Sequence, residues 1–170
     1  EHPDRPSGIL LDLLGLGPDF AAEVVKTRGA KERGLVEADL LTSRSKSLCA
    51  HCRGGVDASA KECPVCEGGI FDNRVGSLRI GSMSVAEIMR RPLSEVLSIF
   101  SLNDTVMAVL SAIPEDLRTR LSFGASVLSL EPGVRAFVRM ISGIGRCLAM
   151  GASAKAVSYT HLTLPTILLV

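Results

Sequence analysis

Apolar residues in this chain fall into short clusters, most of them closed by glycine or proline. Ile9 to Leu14 is a short buried run ended by Gly15 and Gly17. Pro18 suits the first turn of a helix with Ala21, Val24 and Val25 on one face, stopped at Gly29. Leu35, Val36, Leu40 and Leu41 predict another short apolar element. Leu78-Arg79-Ile80 alternates between Gly76 and Gly81, the pattern of a short strand. Ser84 with Glu87 three residues on forms a capping box, opening a short helix with Val85, Ile88 and Met89 inward. Pro92 ends that helix. Leu93, Val96, Leu97 and Phe100 follow at helical spacing, a face that belongs to the core.

Asn103 or Asp104 can cap the next helix, which carries Val106, Val109, Leu110 and Ile113. Pro114-Glu115-Asp116 makes a first turn for another, with Leu117 and Leu121 buried and Gly124 closing it. Val127 to Leu130 reads as a strand and Pro132-Gly133 as a turn. Val134 to Ile141 predicts a helix interrupted by Gly143 and Gly145, with a last short helix through Cys147, Leu148 and Met150. Cys147 reads as a buried small hydrophobe.

Against this background one stretch stands apart. Cys49-Ala50-His51-Cys52-Arg53-Gly54-Gly55 is answered by Cys63-Pro64-Val65-Cys66-Glu67-Gly68-Gly69. Four thiolates make a full tetrahedral set for zinc, and the two-residue gap lets both sulfurs of a pair reach one ion. The glycines allow the positive φ such a knuckle needs, and turn N–H groups can point at the sulfurs and spread their charge. Redox pairs or unconnected thiols would not need duplicated glycines. His51 reads as a surface residue, because four cysteines already fill the coordination shell. The loop Val56 to Glu62 reads as a hairpin or tight turn.

Composition adds limits. The 170 residues are 46% hydrophobic and 22% charged, a globular balance with room for one domain or two small ones. A net charge of +1 makes no global case for nucleic acid. A local excess of positive charge does occur before and into the cysteine stretch, where Arg44, Lys46 and Arg53 are the candidate DNA contacts. Five cysteines, an odd count with metal spacing, fit a reducing compartment. No apolar run is long enough to span a bilayer and no signal peptide opens the chain, so a cytoplasmic location is expected. The first residue is not Met, and the start reads as the interior of a longer chain.

Val157 to Thr166 resembles, residue for residue, the translation of a transposase sequencing adapter. Residues 157–170 are therefore expected to be a non-native tail, set aside from fold reasoning.

The run from Cys63 to Phe100 resembles the segment after the second half of a zinc module in UvrA, the damage-sensing ATPase subunit of the bacterial excinuclease. In that family Cys-x-x-Cys-x-Gly leads into an aromatic, a short strand, a glycine turn, a helix of the type Ile-Ala-Asp-Val-Leu and a helix ending in Phe. Here these are Cys63 to Gly69, Phe71, Leu78 to Ile80, Gly81, Ser84 to Met89, and Leu93 to Phe100. Ala30 to Leu35 also resembles the family's approach to its first cysteine pair. The resemblance implies zinc at Cys49, Cys52, Cys63 and Cys66 and a module that contacts DNA. It further implies ATP, a homodimer and excinuclease partner subunits for the full-length protein. The gap between the pairs is shorter than the family's usual one. No Gly-x-x-x-x-Gly-Lys-Ser/Thr phosphate loop occurs in the chain. Ile141-Ser142-Gly143-Ile144-Gly145 matches the family's Leu-Ser-Gly-Gly-Glu signature only in part. No catalytic residue is assigned.

Three other readings share the cysteine pairs. They are a zinc-bearing part of a secretion or pilus-assembly ATPase, a DnaJ-like zinc module that binds unfolded protein, and a zinc-stabilised helical domain that binds protein. The expected fold is α+β and mostly helical: a small four-cysteine knuckle or ribbon with a short strand, then a bundle of short helices, an incomplete domain. The expected divisions are an N-terminal helical segment at 1–47, the zinc module at 48–73, a helical segment at 74–156, and the tail.

Overall fold

Phe20 sits where four pieces of the chain meet. Its ring centroid lies 6.4 Å from Phe71, 6.2 Å from Phe100 and 6.4 Å from Phe123. Phe100 and Phe123 meet edge-on at 5.9 Å. Such aromatic pairs contribute about 0.5–1.5 kcal/mol each beyond the area they bury. Around them the buried side chains from Ile9 to Ile141 form one contiguous cluster. The computed structural model describes residues 8–41, 46–54 and 63–155, with backbone alone at 145, 146 and 148–155.

The fold is α+β and mostly helical. Helix α1 (Leu10–Leu13) is short and buried, and α2 (Gly17–Val25) has Pro18 in its first turn, as the sequence predicts. Thr27 caps α3 (Arg28–Glu32) by accepting the Ala30 N–H at 3.3 Å. Glu37–Asp39 is a single 3₁₀ turn. After the cysteine region, Asp72 caps α4 (Asn73–Gly76), a turn the sequence reading did not separate from the knuckles. Strands β1 (Arg79–Ile80) and β2 (Met83–Ser84) pair antiparallel, with Arg79 opposite Ser84 and Ile80 opposite Met83. The predicted capping box opens α5 (Val85–Arg90): Ser84 Oγ accepts the Glu87 N–H, and Glu87 Oε2 accepts the Ser84 N–H at 2.8 Å. Helix α6 (Leu93–Val96) follows, then α7 (Asp104–Ser111), capped by Asn103, and α8 (Glu115–Arg118).

Helix α9 (Pro132–Lys155) packs along α7. Residues 8–11 are tied to residues before α9 by backbone bonds, Leu11 N–H to Phe123 O, Leu10 N–H to Ala125 O and Val127 N–H to Gly8 O. Ser142 Oγ donates to Leu14 O at 2.8 Å, joining α9 to α1.

Four expectations need correction. Gly143 and Gly145 do not interrupt α9, since an internal glycine costs only about 1 kcal/mol and an apolar stripe holds this helix against α7 and α1. Val127–Ser129 is a 3₁₀ turn and not a strand, because the Ser129 and Leu130 N–H groups turn back to Ser126 O and Val127 O, and pairing with the Gly8–Ile9 edge is limited among the described residues to the Ser126–Ile9 bridge and the Val127 N–H bond to Gly8 O. Of the predicted face, Leu93, Val96 and Phe100 are buried and Leu97 half-buried, but α-helix gives way to a 3₁₀ turn at Leu97–Phe100. Cys147 is exposed, not buried, because it lies off the side of α9 that carries Val138, Ile141 and Ser142 into the core. The tail from 156 onward and the loop 55–62 lie outside the described residues.

Candidate metal centre

Two turns of the same shape build the site. In the first, Arg53 N–H donates to Cys49 O at 2.9 Å; in the second, Glu67 N–H donates to Cys63 O at 2.9 Å. The residue after each second cysteine is left-handed, Arg53 at φ 48° and Glu67 at φ 48°, and a left-handed glycine follows, Gly54 at 73° and Gly68 at 85°. Such a conformation costs a non-glycine residue roughly 1–2 kcal/mol, so each knuckle stores strain at one side chain and relieves it at the next. The chain enters and leaves antiparallel. Cys49 N–H donates to Ile70 O and Asp72 N–H to Ser47 O, both at 2.8 Å, with Leu48 bridged to Phe71.

This frame gathers the sulfurs. Cys49 Sγ lies 3.8 Å from Cys63 Sγ, Cys52 Sγ lies 3.5 Å from Cys66 Sγ, and all four lie within 4.8 Å of one another. A zinc tetrahedron with bonds of about 2.3 Å has edges of about 3.8 Å. The four residues therefore fit a metal of that size. Cys49, Cys52 and Cys63 are buried, and Cys66 is half-buried.

Backbone N–H groups do point at the sulfurs. The Cys66 N–H draws the Cys63 thiol down to about 6, with the Val65 N–H adding to it. Burial pushes Cys66 up to about 12, reinforced by Cys52 and Cys63, while the Ile70 and Gly68 N–H groups pull the other way. Four bare sulfurs this close cannot all carry charge without a counter-ion, and a dication would lift that penalty.

His51 is exposed, as expected, with Nδ1 3.6 Å from Cys63 Sγ. Lys46 and Arg53 are exposed on either side of the first pair, and Arg44 lies outside the described residues. Sequence reasoning missed the fastening of the second knuckle. Arg90 on α5 pairs with Glu67 at 3.2 Å, and Gly69 lies so close to α5 that a Cβ there would stand 2.8 Å from Ala86 Cβ. The doubled glycine at 68–69 was the available signal; its second member serves close approach. Ile141 to Gly145 lies well inside α9, where the helix takes the backbone N–H groups, so this stretch forms no phosphate cradle.

No family model and no curated protein matches the chain. A solved structure of UvrA2 from Deinococcus radiodurans is similar to it, with a TM-score of 0.67 at 17% identity, over 81% of this chain and 18% of that one. The fold is UvrA-like, and its four-cysteine cluster fits a zinc module. The chain spans under a fifth of the length of that structure, 18%. No helix among the described residues is long and apolar enough to cross a membrane.

Proposed function

We propose that Cys49, Cys52, Cys63 and Cys66 hold a structural zinc, and that the chain is the zinc-bearing segment of a UvrA-like DNA-damage-recognition ATPase of the cytoplasm. The observation that carries this reading is a metal-sized set of four sulfurs inside a UvrA-like fold. Bound zinc would supply no chemistry beyond clamping the two knuckles. The chain's own residues do the rest: the knuckle N–H groups spread the thiolate charge, and Lys46 and Arg53 offer exposed cations to backbone phosphates. ATP-hydrolysing residues, a second copy and the excinuclease partner subunits belong to the longer protein in this reading.

Fluorescence anisotropy of the zinc-loaded chain with a labelled duplex tests it. The affinity should fall steeply with salt, and replacing Arg44, Lys46 and Arg53 together by Gln should lower the log–log salt slope by about 3. Binding that ignores both salt and these three charges would reject the DNA role and leave a protein-binding zinc module.

A further inference from the structure

A groove of about 720 Å³ runs between the second knuckle and the segment that leads into α9. Glu67, Gly68 and Arg90 form one wall, and Arg120, Ser126 and Ser129 stand among the residues of the other. Two of these residues carry polar groups that the described residues leave unpaired, and a third has donors to spare. Arg120 is exposed, and its side chain has no hydrogen-bond or ion-pair partner among the described residues. Ser126 is 6% exposed, and its hydroxyl has no hydrogen-bond partner among them either. A buried hydroxyl left unpaired costs about 1–3 kcal/mol. Among the described residues Arg90 pairs with one carboxylate, Glu67 at 3.2 Å through a single nitrogen, which leaves donors of the guanidinium for a ligand.

The groove carries two guanidinium groups against one carboxylate, with the unpaired Ser126 hydroxyl on a lining residue; the Ser129 hydroxyl is already bonded to Ser126 O at 2.7 Å. That chemistry suits a phosphate group, which accepts several hydrogen bonds and welcomes a forked donor. The volume is that of a site for a nucleotide-sized ligand. The position matters as well. The groove shares Glu67 and Gly68 with the second knuckle, so a ligand there would touch the metal module and the α9 approach at once.

We propose that this groove binds a phosphate of the chain's ligand, with Arg120 and Arg90 supplying charge and Ser126 a hydrogen bond. The phosphate is the shared chemistry of a nucleic-acid strand and a free mononucleotide. The strand version rests on the DNA reading above; the mononucleotide version does not.

Isothermal titration of the zinc-loaded full chain tests it, with inorganic phosphate, a mononucleotide, and single- and double-stranded oligonucleotides as probes. Arg120→Gln should weaken binding of the accepted probe about tenfold and lower the salt slope for a strand by about 1. Ser126→Ala should weaken it while leaving the thermal midpoint unchanged or raised. Glu67→Gln should strengthen it, because Arg90 is released. Binding of oligonucleotide that is unchanged in Arg120→Gln and Ser126→Ala, yet lost with Lys46 and Arg53, overturns the groove and keeps the DNA reading. Binding of mononucleotide or phosphate alone, sensitive to Arg120, supports the groove and rejects the DNA reading. No binding of any probe overturns both.

Discussion

Phe71 lies nearly parallel to Phe20, ring centroids 6.4 Å apart and planes at 8°. Phe71 follows the second cysteine knuckle within a few residues, and Phe20 comes from the middle of α2. The contact makes the two cysteine turns part of the main core. Phe71→Ala should therefore cost about 3–5 kcal/mol, as for other buried aromatics. Denaturant unfolding would show it, and the variant should also lose metal at a milder denaturant concentration than the parent. An unfolding midpoint unchanged by the substitution would mean that the knuckles ride on the surface.

Metal removal should act through four cysteines and spare the fifth. The purified chain should carry one zinc by elemental analysis. Cys66→Ser should lose it, while Cys147→Ser, at an exposed position outside the cluster, should keep it. Chelation should lower the thermal midpoint, since a closed four-thiolate site contributes folding energy directly.

Two glycines should respond in opposite directions to alanine. A Cβ at Gly124 would stand 2.9 Å from both Gly68 O and Met89 O, and backbone oxygens cannot swing aside. Gly124→Ala should destabilise by about 1–3 kcal/mol. A Cβ at Gly143 meets nothing within 4 Å, and the residue is inside α9. Gly143→Ala should stabilise by up to about 1 kcal/mol. Thermal midpoints of the two variants check both signs.

The capping box should make stability depend on acid. The Ser84 backbone N–H and then its hydroxyl hold the Glu87 carboxyl below its ordinary value of 4.5. A lowered folded-state value means the stabilisation is complete above that ordinary value and is lost as the pH falls through the folded one. Glu87→Gln keeps an acceptor for the cap but cannot titrate. Its thermal midpoint should drop less than the parent's between about pH 6 and about pH 3. Parallel drops would show that Glu87 carries none of the acid sensitivity.

The site was more legible in the sequence than the fold around it. Four cysteines with two-residue gaps and trailing glycines announce one close cluster of sulfurs, because the ligand chemistry and the turn both act over a handful of neighbouring residues. The capping box at Ser84 and the Asn103 cap were readable for the same reason. The groove residues Arg90, Arg120 and Ser126 were not, because each stands in an ordinary polar context and they meet only when the α5 end, the segment before α9 and the second knuckle come together.

By itself, then, the sequence determined what short-range geometry can enforce: the paired knuckles, the capped helix starts, and the inward faces of α5, α6 and α7. Only the tertiary structure decided that α9 runs unbroken past Gly143 and Gly145, that Val127–Ser129 turns instead of pairing as a strand, and that Cys147 faces outward. In each of those places the local preference is weak, a matter of about 1 kcal/mol or less, and the packing available to a segment from distant parts of the chain outweighs it.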